Sequence, residues 1–167
     1  MSFNLKVDKS GWDKLKKEFE LLALNEIQLG WFPENVYGPD NSNLPMAEVA
    51  KDNELGHVNG PTSLFPGAVT PPRPFMRVGL TGALISGANK QQFAAMIKAV
   101  SEGQSSLAAM KQSLPFFEQT LRKVMMDWDT PRNSDVTEAL KGFNDPLRKT
   151  GELIANVTAK VAKKGSD

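Results

Sequence analysis

The stretch Pro71-Pro72-Arg73-Pro74-Phe75-Met76-Arg77 is the one around which we expect the fold to be organised. Its three prolines fix φ and remove backbone N–H donors, so the stretch can begin neither an ordinary helix nor a central strand. Each residue before a proline is also pushed toward extended geometry. The sequence therefore predicts a stiff, ordered corner. It presents the apolar side chains of Phe75 and Met76 between two cations, Arg73 and Arg77.

Length and composition predict one domain with a hydrophobic core. The chain has 167 residues, about 40% of them apolar, with 20 basic and 19 acidic side chains. A net charge of +1 predicts no basic surface of the kind that binds nucleic acid. The absence of cysteine excludes disulfides and thiolate metal sites and fits a reducing compartment. No apolar signal segment or run of roughly 20 apolar residues is present, so we expect a soluble protein in the cytoplasm.

Hydrophobic periodicity predicts the elements on the N-terminal side of the corner. An alternation of two indicates strands, and a spacing of three to four indicates an amphipathic helix. The predicted elements are a strand at Phe3–Val7, a helix capped by Ser10 that buries Trp12, Leu15, Phe19 and Leu22, a strand through Ile27–Phe32, a short helix from about Leu44 to Gly56 that buries Met46, Val49 and Ala50, and a long loop from His57 to Thr70.

The same patterns predict the elements that follow the corner. They are an extended or bent connector at Val78–Gly87, a helix through Phe93–Val100, a longer helix from Ser105 to Trp128 that Pro115 kinks or divides, a helical turn at Val136–Leu140, a loop from Gly142 to Gly151 and a final strand at Ile154–Val161. With strands drawn from both ends of the chain, the fold class is α+β. We expect one domain over residues 1–162, a small mixed or antiparallel sheet packed against helices with long interface loops, and a flexible tail at 163–167.

Known catalytic and cofactor-binding motifs do not occur. His57 is the single histidine, so with no cysteine a histidine-rich metal site cannot form within one chain. A Ser-His-Asp site would need His57, and no Gly-x-Ser-x-Gly elbow places a serine. The glycines match neither a phosphate loop nor a dinucleotide fingerprint. The carboxylates Glu48, Asp52 and Glu54 lie on a short helix, where acidic side chains are usually solvated. We therefore predict no catalytic residue, no cofactor and no metal, and a protein that is not an enzyme.

Three stretches in order carry a resemblance to a known family. Val49-Ala50-Lys51-Asp52-Asn53-Glu54-Leu55-Gly56 ends the short helix, Arg73-Pro74-Phe75-Met76-Arg77 follows the loop, and Lys141–Leu153 precedes the final strand. In that order they resemble the motifs of tailed-bacteriophage neck and tail-completion (tail terminator-like) proteins. That family includes the putative tail-component proteins of lambdoid phages and the virion-morphogenesis proteins of Mu-like phages. The resemblance spans about Leu29 to Val161.

The resemblance implies a structural role without an active site. Such proteins form rings, typically hexamers, at the head–tail junction or on top of the tail tube. The partners implied are other copies of the chain, the tail-tube protein and the head-closure or connector proteins. Genomic DNA would pass through the lumen without sequence-specific binding, and no membrane would be involved. The implied location is the neck or tail of the virion, and the host cytoplasm during assembly.

The candidate assembly residues follow from the motifs. In one hypothesis Phe75 inserts into an apolar pocket of a neighbouring subunit, and Arg73 or Arg77 pairs with a carboxylate beside it. In the alternative, Phe75 belongs to the core of its own subunit. Arg148 and Lys149 either contact the tail tube or connector or form a solvated basic turn. The full candidate set is Arg73, Phe75, Met76, Arg77, Glu54, Arg148 and Lys149.

Two other functions fit the same sequence. One is a non-viral adaptor domain that binds a peptide or protein through the proline-rich loops. A weaker one is a nuclease-like or transferase enzyme with residues that match no known motif. A ring in solution or on tail tubes would favour the phage function, whereas a monomer indifferent to tails would exclude it.

Overall fold

The computed structural model of the protein describes residues 9–63 and 65–165, apart from the side chain of Asp40. The strand predicted at Phe3–Val7 and the last two residues of the predicted tail lie outside the described residues. In chain order the elements are α1 (Ser10–Leu24), β1 (Asn25–Gly30), a 3₁₀ turn (Pro39–Asn41), α2 (Met46–Leu55), β2 (His57–Val58), β3 (Val69–Thr70), a π-helical segment (Phe75–Leu80), α3 (Thr81–Ile85), α4 (Gly87–Ser101), α5 (Ser106–Met126), α6 (Asp135–Lys141), α7 (Glu152–Ala155) and β4 (Thr158–Lys163).

Strands from the two ends of the described chain form the main sheet. β1 and β4 run antiparallel, in a register that pairs Asn25 with Lys163 and Gly30 with Thr158. A second antiparallel pair, β2 and β3, joins His57 to Thr70 within the loop that follows α2. Helices cover the rest of the core, so the predicted α+β class is confirmed.

The core has two clusters, and α5 contributes to both of them. Phe75 belongs to the larger cluster, in which α2, α5 and the segment 147–157 meet. The smaller cluster joins α4 and α5 to α1 and the main sheet. The buried members of the larger cluster are Met46, Ala50, Phe75, Leu121, Met125, Leu147, Leu153, Ile154 and Val157, and those of the smaller cluster are Met96, Val100, Ala109 and Met110.

The segment Val78–Gly87, predicted as an extended or bent connector, is helical instead, so that prediction is wrong. The π-helical segment runs directly into α3, and α4 begins at Gly87. One of the glycines that suggested an extended chain has a packing role instead. A Cβ on Gly79 would lie 2.5 Å from the side chain of Val124 and 2.9 Å from that of Trp128. Gly79 therefore permits close packing against α5.

Two further boundaries differ from the prediction. Pro115 does not divide α5, which is one helix over 21 residues, because a single missing N–H costs less than exposing its apolar stripe. The final strand begins at Thr158, since residues 152–155 form the short helix α7 after Gly151. That strand extends one residue into the predicted tail, to Lys163.

The first helix differs in its details. Ser10 is its first helical residue, and the cap position is occupied by Lys9, with no side-chain cap bond. Leu15, Phe19 and Leu22 pack against the smaller cluster as predicted. Trp12 was predicted to be buried, and that prediction is wrong, because its side chain is 67% exposed and is not among the residues that pack against the cluster.

Candidate functional site

The corner is held to α2 by a carboxylate. Glu54, in the last turn of α2, accepts hydrogen bonds from the backbone N–H groups of Met76 (2.9 Å) and Arg77 (3.1 Å). The same carboxylate accepts a third bond from Nε of Arg77 at 3.0 Å. It thereby satisfies donors that the π-helical segment leaves unpaired at its start. The prediction that Glu54 is solvated is wrong, because its side chain is buried by the segment that it caps.

Arg73 joins the corner to the loop before α6. Its backbone N–H donates to the carbonyl of Asn53 at 2.7 Å. Its guanidinium donates to Oδ1 of Asn53, to the carbonyl of Pro131 and to Oδ1 of Asn133, each at 3.3 Å. Burial lowers the pKa of Arg73. No ion pair between Arg73 and a carboxylate is present in the part of the chain that the structure describes, and its guanidinium bonds go to neutral oxygens of its own subunit.

Phe75 lies in the core of its own subunit. Its side chain is 0% exposed, and its ring meets the edge of Trp31 with 6.2 Å between the centroids. Met76 packs against the same cluster and is partly buried. Of the two hypotheses for Phe75, insertion into a neighbouring subunit is therefore wrong, and the core role is correct. The corner is a structural anchor.

Gly56, at the end of α2, lies close to the backbone around the start of the corner, and it supplies a testable prediction. Its φ is 73°, and an added Cβ would lie 2.8 Å from both the backbone N of Pro72 and the backbone O of Thr70. We expect Gly56→Ala to lower the free energy of unfolding by about 2–3 kcal/mol, measured by urea denaturation. Gly82→Ala is the control, because nothing lies within 4 Å of its Cβ, and it should raise stability by about 0.5–1 kcal/mol. Equal effects of the two changes would contradict this account.

Arg148 and Lys149 lie apart from Phe75. Arg148 pairs with Asp145 at 2.8 Å, and its guanidinium lies over the ring of Phe143 at 5.1 Å. Lys149 is exposed and lines a small pocket together with Arg73. The structure thus brings Arg73 and Lys149 together, whereas the other candidates at the corner contact α2 and the core.

A long apolar groove, which the sequence did not predict, lies between the main sheet and the helices. Its volume is about 610 Å³, and it is lined by β1, α3, α4, α5 and the end of α1. Glu26 is its only charged lining residue. Phe93 and Ile97 of α4 are roughly half exposed along it. The helix predicted through Phe93–Val100 is present, and Met96 and Val100 are its buried apolar residues.

The edge of β1 beside the groove has unpaired backbone groups. The bond from the N–H of Lys164 to the carbonyl of Leu24 shows that the even-numbered residues of β1 pair with β4. The N–H and C=O groups of Ile27 and Leu29 therefore point away from β4, toward the groove that these residues line. No hydrogen-bond partner for them exists within residues 9–63 and 65–165.

The opposite edge of the sheet is closed by α5. The N–H of Ala159 in β4 donates to Oε1 of Glu118 at 2.9 Å. The carbonyl of Val157 accepts from the guanidinium of Arg122 at 2.6 Å. The two edges of the sheet are therefore unlike, and only that of β1 is open among the described residues.

A second exposed apolar surface lies on the hairpin of residues 57–70, which we call the arm. Apart from His57, the arm contains no ionisable side chain. Val58, Phe65 and Val69 are between 47% and 72% exposed. Three large apolar side chains on an uncharged hairpin are unusual for a surface in permanent contact with water.

Metal-binding and membrane-spanning features are not found in the described chain. No group of three or more His, Cys, Asp or Glu side chains there could hold a metal ion. No described helix is long and apolar enough to cross a membrane. Comparisons of the chain with protein-family models, with curated proteins and with solved structures find no match in any of the three.

Proposed function

We propose that this chain is a structural protein of a tailed-phage virion, which assembles into a ring at the head–tail junction or on top of the tail tube. The order of the three motifs supports the phage assignment. Two unlike, exposed and mainly apolar surfaces support assembly. A ring needs such a pair, because one surface of each subunit meets a different surface of the next.

The arm and the groove are the two surfaces that we assign to this contact. The arm contains no lysine, arginine, aspartate or glutamate, and Glu26 is the one charged residue that lines the groove, so a contact between the two surfaces would enclose at most one charged side chain. They share no lining residue, which allows both to be occupied in the same subunit. A contact between the arm of one copy and the groove of the next would remove both apolar surfaces from water.

The edge of β1, which has no partner strand among the described residues, is the single observation that carries this proposal. The unpaired groups of Ile27 and Leu29 border an apolar groove, and a strand laid along them would gain hydrogen bonds as well as apolar contacts. The arm contains two short strands and exposed Val58 and Val69. A second copy of the chain can therefore supply both the strand and the side chains.

Two aspartate variants test the contact. Phe65→Asp places a charge on the arm, and Ile97→Asp places one in the groove. We expect each variant alone to be monomeric in light scattering after size-exclusion chromatography. A one-to-one mixture should form a heterodimer and stop there, because one intact arm meets one intact groove. Leu140→Asp, at an exposed apolar residue of α6 outside both surfaces, should assemble like the unmodified chain.

Other outcomes would contradict the proposal. If the mixed variants stay monomeric while the Leu140→Asp protein assembles, the contact is not formed by arm and groove. If the unmodified chain is monomeric at the highest concentration reached, and negative-stain images show no ring on purified tail tubes, the ring proposal fails. Binding of a foreign protein by such a monomer would favour the adaptor function instead.

A further inference from the structure

A small basic pocket borders the end of the arm, at Val69 and Thr70, and the start of the corner. It has a volume of about 290 Å³ and is lined by residues 69–73, by the loop before α6 and by the 146–149 turn. Four of its lining side chains are cations, namely Arg73, Arg132, Lys141 and Lys149. None of the lining residues is acidic.

Two carboxylates beside the pocket each have one cation partner, although the buried Oδ1 of Asp145 has no hydrogen-bond partner among the described residues. Glu138 pairs with Arg132 at 3.1 Å, and Asp145 pairs with Arg148 at 2.8 Å. Lys141 donates to the backbone carbonyl of Asp145 at 2.6 Å. With Arg148 counted among the neighbours, five cations face two carboxylates, which leaves an excess of three positive charges around the pocket.

Two of these cations are withdrawn from water. Arg73 is only 6% exposed, and its three guanidinium bonds all go to neutral oxygens. The pKa of Lys141 is lowered, mainly by burial. The charge of Asp145 acts in the opposite direction, whereas the positive charges of Arg73, Arg148 and Lys149 lower the pKa further. Uncompensated cations are costly to bury unless an anion joins them.

A donor in the wall of the pocket also lacks an acceptor. Asn133 is 8% exposed, and its Nδ2 has no hydrogen-bond partner among the described residues. Its orientation is determined by Arg73, since a guanidinium only donates and must face Oδ1 of the amide. The unsatisfied group is therefore an N–H donor, which again calls for an acceptor.

We propose that this pocket binds a small tetrahedral dianion, of the class of inorganic phosphate or a phosphate monoester. The excess of positive charge is more than one carboxylate would balance, and the donors come from three separate segments around the cavity. A phosphate group has several acceptor oxygens, and it pairs well with arginine and lysine side chains. The hydroxyl groups of Ser134 and Thr137 line the same wall and hydrogen-bond each other at 2.9 Å, which leaves one hydroxyl proton for a further acceptor.

Inorganic phosphate is the probe for the test. We expect millimolar phosphate, at constant ionic strength set with sodium chloride, to raise the Tm of the unmodified chain and to give a saturable signal in titration calorimetry. Lys149→Gln should weaken the affinity about tenfold, as expected for one lost charge-assisted hydrogen bond. The double variant Arg132→Gln/Lys149→Gln should lose the saturable signal.

The controls separate this site from general salt effects and from other ligands. Lys111→Gln, at an exposed lysine of α5, should respond like the unmodified chain. Equal Tm shifts in the double variant and the unmodified chain would overturn the proposal. A response to acetate as strong as that to phosphate would also overturn the proposal. So would binding of a DNA duplex that is tighter than the binding of phosphate and is lost in Lys149→Gln. Lys149, Lys111 and Arg132 all lie outside the arm and the groove. A negative result for phosphate binding therefore leaves the ring proposal standing.

Discussion

Replacing Phe75 with alanine is expected to lower the free energy of unfolding by about 3–5 kcal/mol. The side chain is 0% exposed and contacts Trp31 edge-on, at the place where α2, α5 and the corner meet. Removing the ring leaves a cavity that the corner cannot fill, because its prolines resist movement. Urea denaturation of the monomer, followed by circular dichroism, measures the loss.

Val78→Ala is the matched control for that experiment. Val78 lies in the same π-helical segment and is exposed, so its truncation should change stability by less than about 0.5 kcal/mol. A Phe75→Ala protein with unchanged monomer stability and lost assembly would contradict the core assignment and restore the interface role.

Glu54→Ala is expected to cost about 3–5 kcal/mol of unfolding free energy. The change removes the acceptor of three hydrogen bonds and leaves the backbone N–H groups of Met76 and Arg77 without a partner. Each unsatisfied buried donor costs about 1–3 kcal/mol. The pair with Arg77 adds little, because that side chain is mostly exposed. Chemical denaturation at neutral pH measures the effect.

Two comparisons make the result for Glu54 specific. Glu48→Ala removes an exposed carboxylate from the same helix and should change stability by at most about 0.5 kcal/mol. Glu54→Gln retains one acceptor oxygen and should lie between Glu54→Ala and the unmodified chain. If Glu54→Ala and Glu48→Ala have equal effects, the carboxylate does not hold the corner.

Local patterns predicted the elements with long, strong periodicity. The helix from Ser105 to Trp128 was placed within one or two residues of α5, and Gly56 was recognised as the residue that ends α2. Both signals are contained in the element itself. The helical character of Val78–Gly87 was missed, because Gly79 is required by packing against Val124 and Trp128, far along the chain.

The candidate site was predicted only in part. The motif residues at the corner were identified, but the sequence could not distinguish a core role for Phe75 from an interface role. The groove was not foreseen, because β1, α3 and α4 each show an ordinary amphipathic pattern. A signal for the arm was present in the 14 residues from His57 to Thr70, which contain no lysine, arginine, aspartate or glutamate.

The sequence by itself determined the α+β class, the periodic helices, the presence of strands toward both ends of the chain, and the stiffness of the corner. These features depend on neighbours within a few residues. Tertiary structure alone decided that Glu54 and Arg73 are buried and that one edge of β1 is unpaired among the described residues. The bond from Arg73 to Asn133 joins residues 60 positions apart, and that from Met76 to Glu54 joins residues 22 apart. Burial and hydrogen-bond partners are properties of such distant contacts, and no local pattern encodes them.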